Sequence, residues 1–331
     1  MRHTDRQCYQ SSSRRGCVNV YPLHNRRMHT NQNLQTRLLR RTAVLLALST
    51  LAACSSVSTP PATPTTAPAL PPKWGLALGG GAARGFAHIG VIQVLEENGL
   101  EPDVVTGTSA GSLVAAIYAS GKSGQQLQAI AQSLDEASIA DWTVPFLSKG
   151  LLRGEALARY VNTQVGGRKL EEMKIPLGVV ATNFQSGEDV LFRKGDTGTA
   201  VRASSAIPAV FNPVRIGNIE YVDGGLVSPV PVTQARAMGA QVVLAVDIST
   251  PPSMGRTEGA VEMILQTTSI MGRSINQYAL KQADVVVRPA LDGVRGSDFS
   301  QKQQAIAAGR QAMLAALPRL KEALRPGEVK P

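Results

Sequence analysis

Val104-Val105-Thr106-Gly107-Thr108-Ser109-Ala110-Gly111, running into Ser112-Leu113-Val114-Ala115-Ala116-Ile117-Tyr118, is the stretch that decides how this chain folds. Its first half is a short β-branched run, its second half an apolar helical one, and G-x-S-x-G stands between them. Glycines at 107 and 111 permit a sharp strand-to-helix turn that lifts the Ser109 hydroxyl out of a sheet and lets the next helix pack closely. Alone the pattern also describes a close-packed Gly/Ser helix start. The strand and helix on either side make it an elbow.

Upstream, Trp74-Gly75-Leu76-Ala77-Leu78 leads into Gly79-Gly80-Gly81-Ala82-Ala83-Arg84-Gly85. Helical spacing follows at Phe86, Ile89, Val91, Val94 and Leu95, until Asn98-Gly99 stops it. Strand, glycine loop and helix in that order aim free backbone N–H groups at an anion. A dinucleotide fingerprint is excluded by spacing, because Ala82 and Arg84 occupy positions where glycine is needed and the next strand ends in the serine elbow. Gly121-Lys122-Ser123 is not a phosphate loop either, since Ala116 sits where its first glycine belongs.

Downstream, Ile219-Glu220-Tyr221-Val222-Asp223-Gly224-Gly225 puts Asp-Gly-Gly after another strand. Asp-Gly is a hairpin-turn signal. A carboxylate within reach of Ser109 would instead take its proton, a Ser-Asp pair in place of a triad. Histidine supply bears on the choice. His3, His24 and His29, with Cys8 and Cys17, all lie in the first 53 residues, leaving His88 and Cys54 beyond them. That excludes a disulfide framework and a Cys/His zinc site from the rest of the chain, and no calcium-ligand spacing occurs, so no metal or other cofactor is expected. His88 precedes Ser109, so the usual order of serine, acid and histidine is impossible. It is expected in the helix after the glycine loop, in a packing or hydrogen-bonding role.

The chain of 331 residues has a formal charge of +10, but the Arg-rich first 53 residues carry +8 of it. With 4% aromatics and no interleaving of basic and aromatic residues, a nucleic-acid partner is excluded. Arg37, Arg40 and Arg41 precede an apolar run from Ala43 to Ala53 that is shorter than the roughly 20 residues of a membrane-spanning helix. It reads as the core of a signal peptide, with Met28 as a better-placed start. Leu51-Ala52-Ala53-Cys54 resembles the lipobox of bacterial lipoproteins, which implies acylation of Cys54 and cleavage before it. Ser55 resembles the sorting position of lipoproteins sent to the outer membrane, so the expected location is the cell envelope, on the periplasmic face of that membrane. Six prolines between residues 60 and 72 read as an extended linker.

The glycine loop with Arg84, the elbow from Gly107 to Gly111, and Asp223-Gly224-Gly225 together resemble the patatin-like phospholipase family, specifically its bacterial branch. A fourth block, Arg202-Ala203-Ser204-Ser205-Ala206-Ile207-Pro208, resembles the segment that family carries before its aspartate. The likeness covers roughly residues 73–250. It implies a three-layer α/β/α fold around a mostly parallel sheet, Ser109 as nucleophile and Asp223 as its base. It also implies an oxyanion hole built from Gly80, Gly81, Ala82 and Arg84, and membrane-bound phospholipid or lysophospholipid esters as substrates. Ala82 departs from the glycine found in many relatives and would be strained if the loop needs positive φ there. A catalytically silent, membrane-tethered lipid-binding or trafficking protein with the same fold is the alternative.

These readings divide the chain into a signal region (1–53), acylated Cys54 and linker (54–72), a catalytic core (73–250) and a C-terminal helical extension (251–331). Within the core, helices are expected near 124–134 and 155–164, with Trp142, Phe146, Leu147, Leu151 and Leu152 between them read as core residues in preference to a cap over an acyl pocket. Leu177–Thr182 and Val242–Val246 read as buried parallel strands. Beyond them come a helix near 258–282, a strand at Val285–Val287 and two terminal helices, covering the sheet and closing its edge.

Overall fold

The computed structural model describes residues 70–135, 137–143, 149–249, 259–296 and 298–326. The signal region, Cys54, most of the linker, Phe146 and Leu147 lie outside the described residues. The strands are β1 (Trp74–Leu78), β2 (Val104–Thr108), β3 (Gly150–Leu152), β4 (Leu177–Asn183), β5 (Asp189–Phe192), β6 (Ala209–Phe211), β7 (Val214–Ile216), β8 (Ile219–Asp223), β9 (Val242–Val246) and β10 (Val285–Val287). The helices are α1 (Ala87–Glu97), α2 (Ala110–Ala119), α3 (Gly124–Ser133), α4 (Glu155–Gln164), α5 (Thr197–Ser204), α6 (Val232–Ala237), α7 (Ala260–Ala279) and α8 (Lys302–Ala323).

Among the described residues one eight-stranded sheet runs in the order β10-β9-β1-β2-β4-β8-β7, with β5 also on β4. The five strands from β10 to β4 are parallel; β5, β8 and β7 are antiparallel to their neighbours. Strands covered on both faces need apolar residues at every position, and β1 and β9 are buried throughout. Alternation then sorts their side chains. Leu76, Leu78, Leu244 and Val246 pack into the large core with Ile92 of α1 and Met313 of α8, whereas Ala77, Val243 and Ala245 meet Val232 and Ala235 of α6 on the other face. The fold is the three-layer α/β/α arrangement with a mostly parallel sheet that the sequence leads one to expect.

The C-terminal region supplies the edge strand β10 and the helix α8. Instead of two terminal helices there is a 3₁₀ turn at Phe299–Gln301 and then the single α8. Gly309 does not break it because that glycine serves packing: a Cβ there would stand 1.9 Å from Ala87 O, and one on Gly90 of α1 would stand 2.0 Å from Ile306 O. The two helices thus touch backbone to backbone.

The expected burial of the segment around Trp142 fails. Trp142 is 66% exposed and Leu151 46%. The reason is architectural: Gly150–Leu152 pairs with β6 in a separate two-stranded ribbon, with Trp142 bridged to Leu152, so neither side chain reaches the sheet's core.

Register around β4 brings the two chemical motifs together. Val179 and Val180 pair with both β2 and β5, and Ala181 and Thr182 pair with both β8 and β5. Since a strand has two edges, β5 takes one whole edge, and β2 and β8 share the other. The end of β2 at Thr108, opposite Val180, therefore meets the end of β8 at Asp223, opposite Ala181.

Candidate active site

Ser109 stands between β2 and α2 with φ 52° and ψ −125°, a backbone region costing a non-glycine residue on the order of 1–3 kcal/mol. The turn closes only because its flanks lack side chains: a Cβ on Gly107 would lie 2.5 Å from Ser112 Cα, and one on Gly111 would lie 2.2 Å from Leu78 O. Hydrogen bonds hold the strain. Ser109 O accepts from Ser112 N at 2.8 Å and from Ser112 Oγ at 2.6 Å. The Ser109 N–H donates to Ser204 Oγ at 2.9 Å, and Ser204 Oγ donates in turn to Val180 O at 2.5 Å.

From the abutting end of β8, Asp223 reaches the same point. Ser109 Oγ donates to Asp223 Oδ2 at 2.6 Å, with both residues buried. The other carboxylate oxygen, Oδ1, accepts the Gly225 N–H at 2.7 Å. Thr182 Oγ1 donates to Asp223 O at 2.8 Å, and Asp223 N to Ala206 O at 3.0 Å, which fixes the backbone. Asp-Gly-Gly does not turn a hairpin here but opens a 3₁₀ turn at Gly224–Leu226, capped by the Asp223 side chain. Burial pushes the Asp223 carboxyl up to about 6, against the opposing pull of the Ser109 hydroxyl and the Gly225 amide.

The glycine loop lies against this pair, since a Cβ on Gly80 would stand 3.1 Å from Ser109 Cβ. Its amides are not equivalent. Gly79 N–H donates to Val246 O, Gly80 N–H to Pro229 O and Arg84 N–H to Gly81 O. That corrects the donor set read from the sequence: the amides of Gly80 and Arg84 are already used, whereas those of Gly81 and Ala82 have no hydrogen-bond partner among the described residues. Ala82 has φ 49°, so the strain anticipated for an alanine at this position is present.

Residues 76–236 match the family of patatin-like phospholipases. The match opens in β1 and closes in α6, taking in the glycine loop, Ser109 and Asp223. An uncharacterized NTE family protein of Mycobacterium tuberculosis is 36% identical over 179 residues, covering 54% of this chain and 49% of that protein. A second from the same organism is 30% identical over 270 residues, covering 73% and 46%. The mouse patatin-like phospholipase domain-containing protein 6 is 33% identical over 182 residues, covering 52% of this chain and 13% of the mouse protein. The chain thus spans about half the length of the mycobacterial relatives it matches. Among solved structures, VipD from Legionella pneumophila superposes with a TM-score of 0.53 at 16% identity, over 76% of this chain and 67% of that one, a likeness of fold.

Within the matched segment His88 is fully buried in α1 and hydrogen-bonds through Nε2 to Gly79 O at 2.8 Å. Burial lowers its pKa to about 4, so near neutral pH it is an uncharged donor that ties helix to loop. The Arg84 guanidinium is also buried, with Nε lacking a hydrogen bond. Desolvation lowers its pKa while Asp247 and Asp292 oppose that shift. Two supports carried no role in the sequence reading. Ser204 was legible only as part of a motif. Ser228–Pro231 is a carbonyl hub: Ser228 O accepts from Thr108 Oγ1, Pro229 O from Gly80 N and Pro231 O from Thr106 Oγ1. Prolines at 229 and 231, each with a fixed φ, were its available signal.

Proposed function

We propose that the patatin-like domain is a serine acyl hydrolase acting on carboxylic esters of phospholipids or lysophospholipids, through Ser109 and Asp223 and an acyl-enzyme intermediate. The observation that carries it is the buried 2.6 Å hydrogen bond from Ser109 Oγ to Asp223 Oδ2 at a strained elbow. Asp223 removes the hydroxyl proton as Oγ attacks the ester carbonyl. The negative charge forming on the carbonyl oxygen is met by the amides of Gly81 and Ala82, each such donor worth on the order of 3 kcal/mol in a transition state. Collapse expels the alcohol, which leaves with the proton from Asp223; water, deprotonated by the same carboxylate, then attacks the acyl carbonyl, and the fatty acid departs as Asp223 returns that proton to Ser109 Oγ. A carboxyl held near 6 is ionised at neutral pH and suits a general base. In the whole protein, acylated Cys54 holds this domain at the outer membrane, facing the periplasm.

A fluorophosphonate probe followed by mass mapping tests the reading. Label on Ser109, lost in Ser109→Ala, together with ester hydrolysis that disappears in Ser109→Ala and Asp223→Asn but persists in His88→Ala, is the expected result. A folded chain that neither takes the label nor hydrolyses any fatty-acyl ester would favour the silent lipid-binding alternative.

A further inference from the structure

The helix α7 is built inside out. Met263, Ile264, Thr267, Ile270 and Met271 follow the i, i+1, i+4, i+7, i+8 spacing of a single helix face. Four of these five are large apolar side chains, and that face points to solvent: Met263 is 59%, Ile270 53% and Met271 49% exposed. The opposite face, centred on the buried Gly272 and Asn276, is the one packed on the protein. A helix on a globular core normally buries its apolar stripe and exposes the polar one. Exposed apolar surface of this extent marks a place where something else binds.

Position says what. Gly272 sits over Pro229, the residue whose carbonyl holds Gly80, and α7 touches the Gly224–Leu226 turn that follows Asp223, as well as β6. From there toward its N-terminus, Ala260–Met271, the helix buries no residue among its twelve, a length of about 18 Å at 1.5 Å per residue. Those twelve residues contain a single charge, Glu262, and no Lys or Arg. A face that carries no charge can enter hydrocarbon without desolvating an ion, which suits it to the lipid on which the proposed chemistry would act. Trp142 and Leu151 are also exposed, on the ribbon that holds β6, a strand α7 touches.

We infer that the outward face of α7 is a lipid-docking surface, which seats the domain on a phospholipid layer with the Ser109–Asp223 pair beside the point of contact. The inference rests on the proposed lipid-ester chemistry for its choice of partner. It is independent of Cys54, which tethers the chain but does not orient the domain.

The test uses the chain from residue 54 onward carrying Cys54→Ser, so that neither the leader nor an acyl chain is attached, and the same chain with Met263→Gln, Ile264→Gln and Met271→Gln added. Both are floated with phosphatidylcholine/phosphatidylglycerol vesicles, assayed on phospholipid in those vesicles and on monomeric p-nitrophenyl butyrate, and sized by sedimentation. The triple change should weaken vesicle partition by at least about a hundredfold, since the exposed parts of three apolar side chains, 59% of Met263, 37% of Ile264 and 49% of Met271, no longer gain from entering hydrocarbon. Hydrolysis of vesicle lipid should fall with it, while kcat/KM on the soluble ester stays within about twofold. Equal partition of the two proteins overturns the inference. So does a dimer that the triple change converts to monomer, since a second copy would then be the occupant. Vesicle binding that depends on α7 in a chain hydrolysing neither ester would leave the docking surface standing and remove the proposed function instead.

Discussion

Replacing Asp223 by Asn should remove one of two buried groups, Asp223 and His88, whose separate titrations tilt stability in opposite directions with pH. Burial raises the Asp223 carboxyl from 3.8 to about 6. A raised folded-state value means that its contribution to stability is fully present below the unfolded value of about 4 and is lost as pH climbs through about 6. At about 1.4 kcal/mol per pH unit that loss is about 3 kcal/mol. His88 works the other way. Its value falls from 6.5 to about 4, so its contribution is present above pH 6.5 and is lost, again by about 3 kcal/mol, as pH falls toward 4. Over that window the two slopes nearly cancel in the parent protein. Asp223→Asn removes one of them. The variant should be more stable than the parent by up to about 3 kcal/mol at pH 8, and its stability should drop steeply between pH 6.5 and 4 where the parent's stays nearly level. The amide also turns a donor toward Ser109 Oγ and offers no base, so hydrolysis should fall by about 10²–10⁴. Urea unfolding followed by circular dichroism at half-unit pH steps from 4 to 8 reads the first two outcomes. Parallel pH profiles for the two proteins, or a variant less stable than the parent at pH 8, would refute the reasoning.

The same carboxylate sets the acid limb of catalysis: kcat/KM for a soluble ester should rise through pH about 6 and level off above it, measured on the parent protein. Ala82→Gly relieves a residue at φ 49° and should raise stability by about 1 kcal/mol in thermal unfolding while leaving hydrolysis in place. Ser204→Ala removes the acceptor of the Ser109 N–H and leaves a buried donor unpaired, at a cost of about 1–3 kcal/mol. Its signature as a positioning residue is a kcat lowered about tenfold with KM unchanged, and a rate that tracks KM instead would mean that Ser204 touches substrate.

Local chemistry made Ser109 and Asp223 legible in the sequence, because a strained elbow and a carboxylate before a tight turn each need glycine at fixed offsets. The parallel strands were equally plain, since burial on both faces leaves unbroken apolar runs such as Val242–Val246. What stayed hidden depends on partners far along the chain. Which amides of the glycine loop are free turns on Pro229 and Gly81 as acceptors, and no spacing rule states that. Periodicity likewise located α7 as a helix near 258–282 but could not say which side of it meets solvent, so a covering role for the sheet looked sufficient. Trp142 and Leu151 were misjudged for a related reason: hydrophobicity marks what prefers burial, and the side ribbon of β3 and β6 gives those two residues no core to enter.

The end-to-end meeting of β2 and β8 along one edge of β4 makes the site a coincidence detector for folding. Ser109 and Asp223 are 114 positions apart, and each finds its place only when its own strand has docked beside β4. A newly made chain therefore has no Ser109–Asp223 hydrogen bond until residues on both sides of β4 have closed their long loops, the slow class of contact. Under the proposed function, partly folded chains carry an unactivated hydroxyl, so ester hydrolysis would itself serve as an assay for the meeting of the two strand ends.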